Sequence, residues 1–118
     1  MYDFYNANPL GLYEDDCVIR SISCATGRSW DEVYDELSDL AQEKGTLLDK
    51  KSFVRWYLDT HFKRVSNPPY KVYQVAYKFR NHIVLCTQNS HICCIKFGRI
   101  LDTFDPSDRL VEDVWVVK

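Results

Sequence analysis

No apolar run in the sequence comes near the roughly 18 residues of a membrane-spanning helix. The opening residues, MYDFYNANPLG, also lack the basic stretch followed by an apolar stretch that marks a secretory leader. Neither sign of charge dominates. Fifteen lysines and arginines face 17 acids, for a net charge of −2, and no basic stripe is present. Nucleic acid and membrane are therefore not expected as partners. There is no CxxC pair, and the five cysteines are an odd number. That excludes a fully paired disulfide framework and argues against a zinc ribbon. A cytoplasmic, reducing setting is the expectation. Repeats, linkers and low-complexity segments are absent as well, so residues 1–118 are expected to form a single domain.

What is present is enough for a core. Hydrophobic residues make up 46% of the chain and aromatics 14%, which argues against disorder. A domain of this length buries about two-thirds of its unfolded surface. Residues 1–15 read as an irregular lead-in, with turns at Asn8-Pro9 and Gly11. A first helix is predicted from about Asp16 to Thr26, with Asp16 as N-cap, Gly27 past its end, and Asp16 and Arg20 paired on its polar side. Ser29 and Glu32 form a capping box for a second helix ending at Gly45. Its inward residues are Trp30, Val33, Tyr34, Leu37, Leu40 and Ala41, and its acids Asp31, Glu32, Asp35 and Glu36 read as a solvated face. A third helix spans Lys50 to Thr60, with Phe53, Trp56 and Tyr57 inward. The stretch YKVYQVAYKF suits both a short helix and a strand, and the helical reading is preferred. Strands follow at Ile83–Thr87, His91–Phe97 and Arg99–Phe104, and a last one lies within VEDVWVVK. Helices first and an antiparallel sheet second make an α+β domain.

Cys17 stands at the start of the first helix. Unpaired N–H groups and the positive end of the helix dipole favour thiolate there, so this position suits a nucleophile. A nucleophilic cysteine needs a base, and the base needs an orienting group. Of the three histidines, His61 reads as a surface residue, and His82 has nothing to distinguish it. His91 opens a strand directly after a turn, at the rim of a sheet. A two-residue turn at Phe97-Gly98 would set His91, Cys93 and Ile95 on one face with Ile100, Asp102 and Phe104. Asp102 then lies one diagonal step from His91, about 7–8 Å between backbones and within side-chain reach. Asp105 would take that role only if the turn were longer by one residue. Cys24, Cys86, Cys93 and Cys94 read as inert core thiols. A zinc site from Cys86, His91 and Cys93 is disfavoured, because neighbouring Cys93 and Cys94 face opposite ways. No metal or other cofactor is expected.

The blocks DCVIRSISCATGRSWDEVYDEL and SHICCIKFGRILDTFD resemble small papain-like cysteine peptidase domains, above all the short uncharacterised versions found in phage and gut-bacterial genomes. The carrying motifs are D-C-x-x-R, G-x-S-W-x-E-V-Y and H-x(10)-D-T-[FW]-D, and the resemblance runs from about Asn8 to Trp115. It implies a papain-like minimal core whose first helix carries the cysteine. It implies Cys17 as nucleophile, His91 as general base and Asp102 as orienting acid, with Phe104 shielding the pair. Where papain-like enzymes carry an oxyanion-hole glutamine, six residues before the cysteine, this chain has Gly11. A side-chain amide donor would have to come from Asn8 or Asn6, and Asn8 is taken as the candidate. The function expected is a thiol hydrolase, a peptidase or isopeptidase acting on a protein or peptide. The alternative is a catalytically silent module of the same fold, possibly phage-encoded and in the host cytoplasm, that binds and inhibits a host or virion protein.

Overall fold

A computed structural model describes residues 1–11 and 16–118. The elements run β1 Tyr2–Phe4, α1 Cys17–Thr26, α2 Trp30–Lys44, α3 Lys51–His61, β2 Lys63–Arg64, α4 Val72–Lys78, β3 Ile83–Gln88, β4 His91–Lys96, β5 Arg99–Asp102 and β6 Asp113–Val116. The chain is an α+β domain in which the N-terminal helices pack on a C-terminal sheet of order β1-β5-β4-β3-β6-β2.

Local chemistry explains most of these elements. Gly27 ends α1 in the left-handed conformation, at φ 76°. The Ser29–Glu32 capping box starts α2, and Val33, Leu37 and Ala41 form its buried stripe. The ambiguous stretch is helical over Val72–Lys78, with Val72, Val75 and Ala76 buried. Phe97 and Gly98, at φ 50° and 84°, form the two-residue turn between β4 and β5. Both positive angles match the twist of an antiparallel hairpin.

Three expectations are corrected. The sheet is mixed rather than antiparallel, because β1 pairs parallel to β5 with Tyr2 opposite Ile100 and Phe4 opposite Asp102. The lead-in is therefore not wholly irregular: its first residues complete the sheet edge, while the turn falls where expected, with the Gly11 N–H on the Asn8 carbonyl at 2.9 Å. Residues 12–15 of the lead-in lie outside the described residues. Second, the sheet is covered on both faces. Helices α1, α2 and α3 bury Leu85, Ile92, Cys94 and Trp115, and α4 buries Val84, Cys86, Cys93, Ile95, Ile100 and Val114. The central strands β3, β4 and β6 alternate between two apolar layers rather than between core and water. Third, Tyr34 and Trp56 are not inward. Tyr34 is 43% exposed and Trp56 37%. Each instead rests on a neighbour at the surface, Tyr34 stacked on Trp30 and Trp56 under the Lys44 ammonium.

Candidate active site

Helix α1 lies along β4, held at two points. The Ser21 hydroxyl donates to the Ile92 carbonyl at 2.9 Å, and the Lys96 ammonium donates to the Cys24 carbonyl at 3.3 Å. Ser21 is one helical turn beyond Cys17, and Ile92 follows His91. Docking at Ser21 therefore carries the first residue of the helix to the first residue of the strand. The Cys17 side chain is thereby brought to the His91 imidazole, and it helps to raise the pKa of the ring.

The acid arrives through the hairpin. Cys94 lies opposite Leu101 and Lys96 opposite Arg99, which puts Asp102 diagonal to His91. The His91 Nε2 to Asp102 Oδ2 distance is 2.6 Å. A carboxylate only accepts, so Nε2 is the donor, and Nδ1 is the nitrogen left for the sulfur. Phe104 packs its ring 4.7 Å from the imidazole centroid. Cys17, which the sequence separates from His91 and Asp102 by more than seventy residues, is thus brought together with them. Asp105 stands apart. It is exposed, and its carboxylate accepts from the Ser107 hydroxyl and, at 3.0 Å, from the Ser107 N–H. Those bonds hold its carboxyl below the usual range.

Electrostatics favour a charged imidazole. Burial opposes the charge, but hydrogen bonds to Asp102 and Cys17 and the charges of both outweigh it. They raise the His91 pKa to about 9. The other four thiols are buried. Cys86 and Cys93 face each other across β3 and β4, and Cys94 lies in the opposite layer. Among the described residues no group of His, Cys, Asp or Glu is arranged to hold a metal ion. His61 and His82 are exposed and distant from this chemistry in the sequence of elements, at the end of α3 and before β3.

Asp16 differs from its expected role. Its side chain makes no capping bond to the helix it precedes. Instead Oδ1 accepts from Arg20 Nε at 2.7 Å, and Oδ2 accepts from the Trp30 indole at 2.8 Å and from Asn8 Nδ2 at 3.4 Å. The Asp16–Arg20 pair is not on a solvated face: the residues are only 9% and 8% exposed. Arg20 then reaches across to β5, with Nη1 3.0 Å from Thr103 Oγ1 and 3.6 Å from Asp102 Oδ1. Helical spacing shows the first contact, but only the tertiary fold shows the second. The oxyanion candidate Asn8 is buried beside Asp16, the residue just before Cys17, and its Oδ1 accepts the Leu10 N–H at 2.9 Å.

Beside Cys17 and His91 a groove of about 430 Å³ opens between α3, the β3–β4 turn and β6. Its apolar lining comes from Leu48, Val54, Ile92 and Trp115, and Lys51 and Glu112 form an ion pair on its wall at 2.7 Å. A chain segment laid in this groove would pass the sulfur. No helix among the described residues is long and apolar enough to cross a membrane.

No family model, curated protein or solved structure matches the chain.

Proposed function

We propose that the chain is a papain-like thiol hydrolase that cleaves an amide bond of a protein or peptide. The observation that carries this reading is the connected line from the Cys17 sulfur through the His91 imidazole to the Asp102 carboxylate, at the edge of a groove. The thiol's proton passes to His91, and the thiolate attacks the amide carbonyl. A C–S bond forms, the C–N bond breaks, and the amine leaves with the proton that His91 returns. Water, activated by the same imidazole, then releases the acid and restores the thiol. Asp102 holds the ring by Nε2, so that Nδ1 faces the sulfur throughout.

The tetrahedral oxyanion would be met by N–H groups at the start of α1. Those groups have no acceptor within their own helix, and the Asp16 side chain does not cap them. Asn8, held next to Asp16, is the nearest candidate for a side-chain donor.

The test is an electrophilic peptide probe, with mass spectrometry to locate the modified thiol. Modification of Cys17 ahead of the four buried cysteines, lost in Cys17→Ala and His91→Ala, supports the proposal. A wild-type protein whose Cys17 reacts no faster than a free thiol is instead a silent module of this fold.

A further inference from the structure

The thiol-hydrolase reading assigns roles to Cys17, His91 and Asp102 and leaves Arg20 unexplained. A buried guanidinium is costly to desolvate, and in a merely structural role the Asp16 carboxylate four residues earlier would suffice to balance it. Arg20 does more than pair within its helix. Its Nε binds Asp16 at 2.7 Å, while Nη1 crosses to Thr103 Oγ1 at 3.0 Å and stands 3.6 Å from Asp102 Oδ1. The two oxygens of Asp102 are thereby given different partners. Oδ1 faces the guanidinium and accepts the Thr103 N–H at 2.8 Å, while Oδ2 is left to the imidazole at 2.6 Å.

We propose that Arg20 is a positioning residue of this active site, resting on the thiol-hydrolase reading: it locks the residue before the nucleophile to the acid behind the base. The geometry explains why arginine is required. A planar fork can bind one carboxylate through Nε and address a second element through Nη1. A lysine ammonium at the same place is a single point that can keep the Asp16 pair one helical turn away, but cannot hold Thr103 and Asp102 as well. It also explains the spacing of Asp16, Cys17 and Arg20. The i,i+4 pair fixes the guanidinium one turn along the helix from the nucleophile, on the side that meets the end of β5. Trp30 and Asn8 secure the far end of the line by their bonds to Asp16.

The experiment measures the rate at which iodoacetamide alkylates Cys17, resolved from the other cysteines by mass spectrometry. Wild type, Arg20→Lys, Arg20→Gln, Asp102→Ala and the double variant Arg20→Gln/Asp102→Ala are compared at a temperature where circular dichroism shows each folded. Arg20→Lys is expected to retain most of the wild-type melting temperature, yet to alkylate roughly 10- to 100-fold more slowly, the scale of a misplaced reacting group. Arg20→Gln should slow it at least as much. In the Asp102→Ala background the Arg20→Gln change should add little, because both act through the same imidazole. If Arg20→Gln does not fold, the lysine variant decides alone. A folded Arg20→Lys protein that reacts at the wild-type rate overturns the proposal, and so does an Arg20→Gln effect of equal size with and without Asp102. A wild-type Cys17 that is no more reactive than a free thiol refutes the hydrolase reading itself, and the positioning role falls with it.

Discussion

At the scale of single residues, the site depends on which of two nearby acids faces His91. The hairpin parity selects Asp102, and Asp105 is occupied by Ser107 in the following turn. Asp102→Ala should therefore reduce Cys17 alkylation by an order of magnitude or more, whereas Asp105→Ala should leave it within about twofold. The reverse result would mean a register wrong by one residue. The raised pKa of His91 also has a consequence for stability. Its value lies near 6.5 in the unfolded chain and about 9 in the fold, so the folded state binds the proton more tightly. The resulting stabilisation is complete below pH 6.5 and is lost as pH rises through 9. Urea unfolding of the wild type should weaken between pH 6 and pH 9.5 by more than that of His91→Gln. Equal pH dependence in the two proteins would show that the ring is not held in its charged form.

At the scale of elements, the β4–β5 hairpin aligns His91 with Asp102, and its turn is not optimal. Phe97 has φ 50° and is 60% exposed, so a bulky side chain occupies a left-handed position without burying itself. Left-handed backbone costs most residues about 1–2 kcal/mol, and asparagine tolerates it better. Phe97→Asn would create an Asn-Gly turn and should stabilise the protein by about 0.5–1 kcal/mol in urea unfolding, with Cys17 reactivity unchanged. Gly98 is the opposite case. At φ 84° its backbone would strain any side chain, even though the nearest atom to an added Cβ, the Arg80 Cβ at 3.4 Å, leaves ordinary contact distance. Helix α1 shows why the capping expectation failed. The Asp16 carboxylate would cap an isolated helix, but a buried guanidinium and an indole N–H compete for it, and the guanidinium has no water as an alternative.

At the scale of the whole molecule, α1, α2 and α3 cover one sheet face and α4 the other, leaving four thiols in two dry layers and one at the groove. A thiol reagent such as Ellman's should titrate one cysteine in the native protein and all five in denaturant. Rapid reaction of a second native thiol would mean that one of those layers opens to solvent.

The sequence by itself determined the helices, the core strands and the pairing of His91 with Asp102, because each rests on local chemistry. A capping box, a glycine at a helix end and a two-residue hairpin act over a few residues, and strand alternation then carries Asp102 to the side of His91. What only the tertiary structure decided involves partners distant along the chain. Three residues, Tyr2–Phe4, have no pattern of their own and become a strand because β5 offers an unpaired edge. The fourth helix turns a one-sided sheet into a two-sided one. Arg20, which periodicity places on a polar face, is buried because Asp16, Thr103 and Asp102 meet there. Periodicity reports how apolar a face is, but not which distant charges the fold will bring to it.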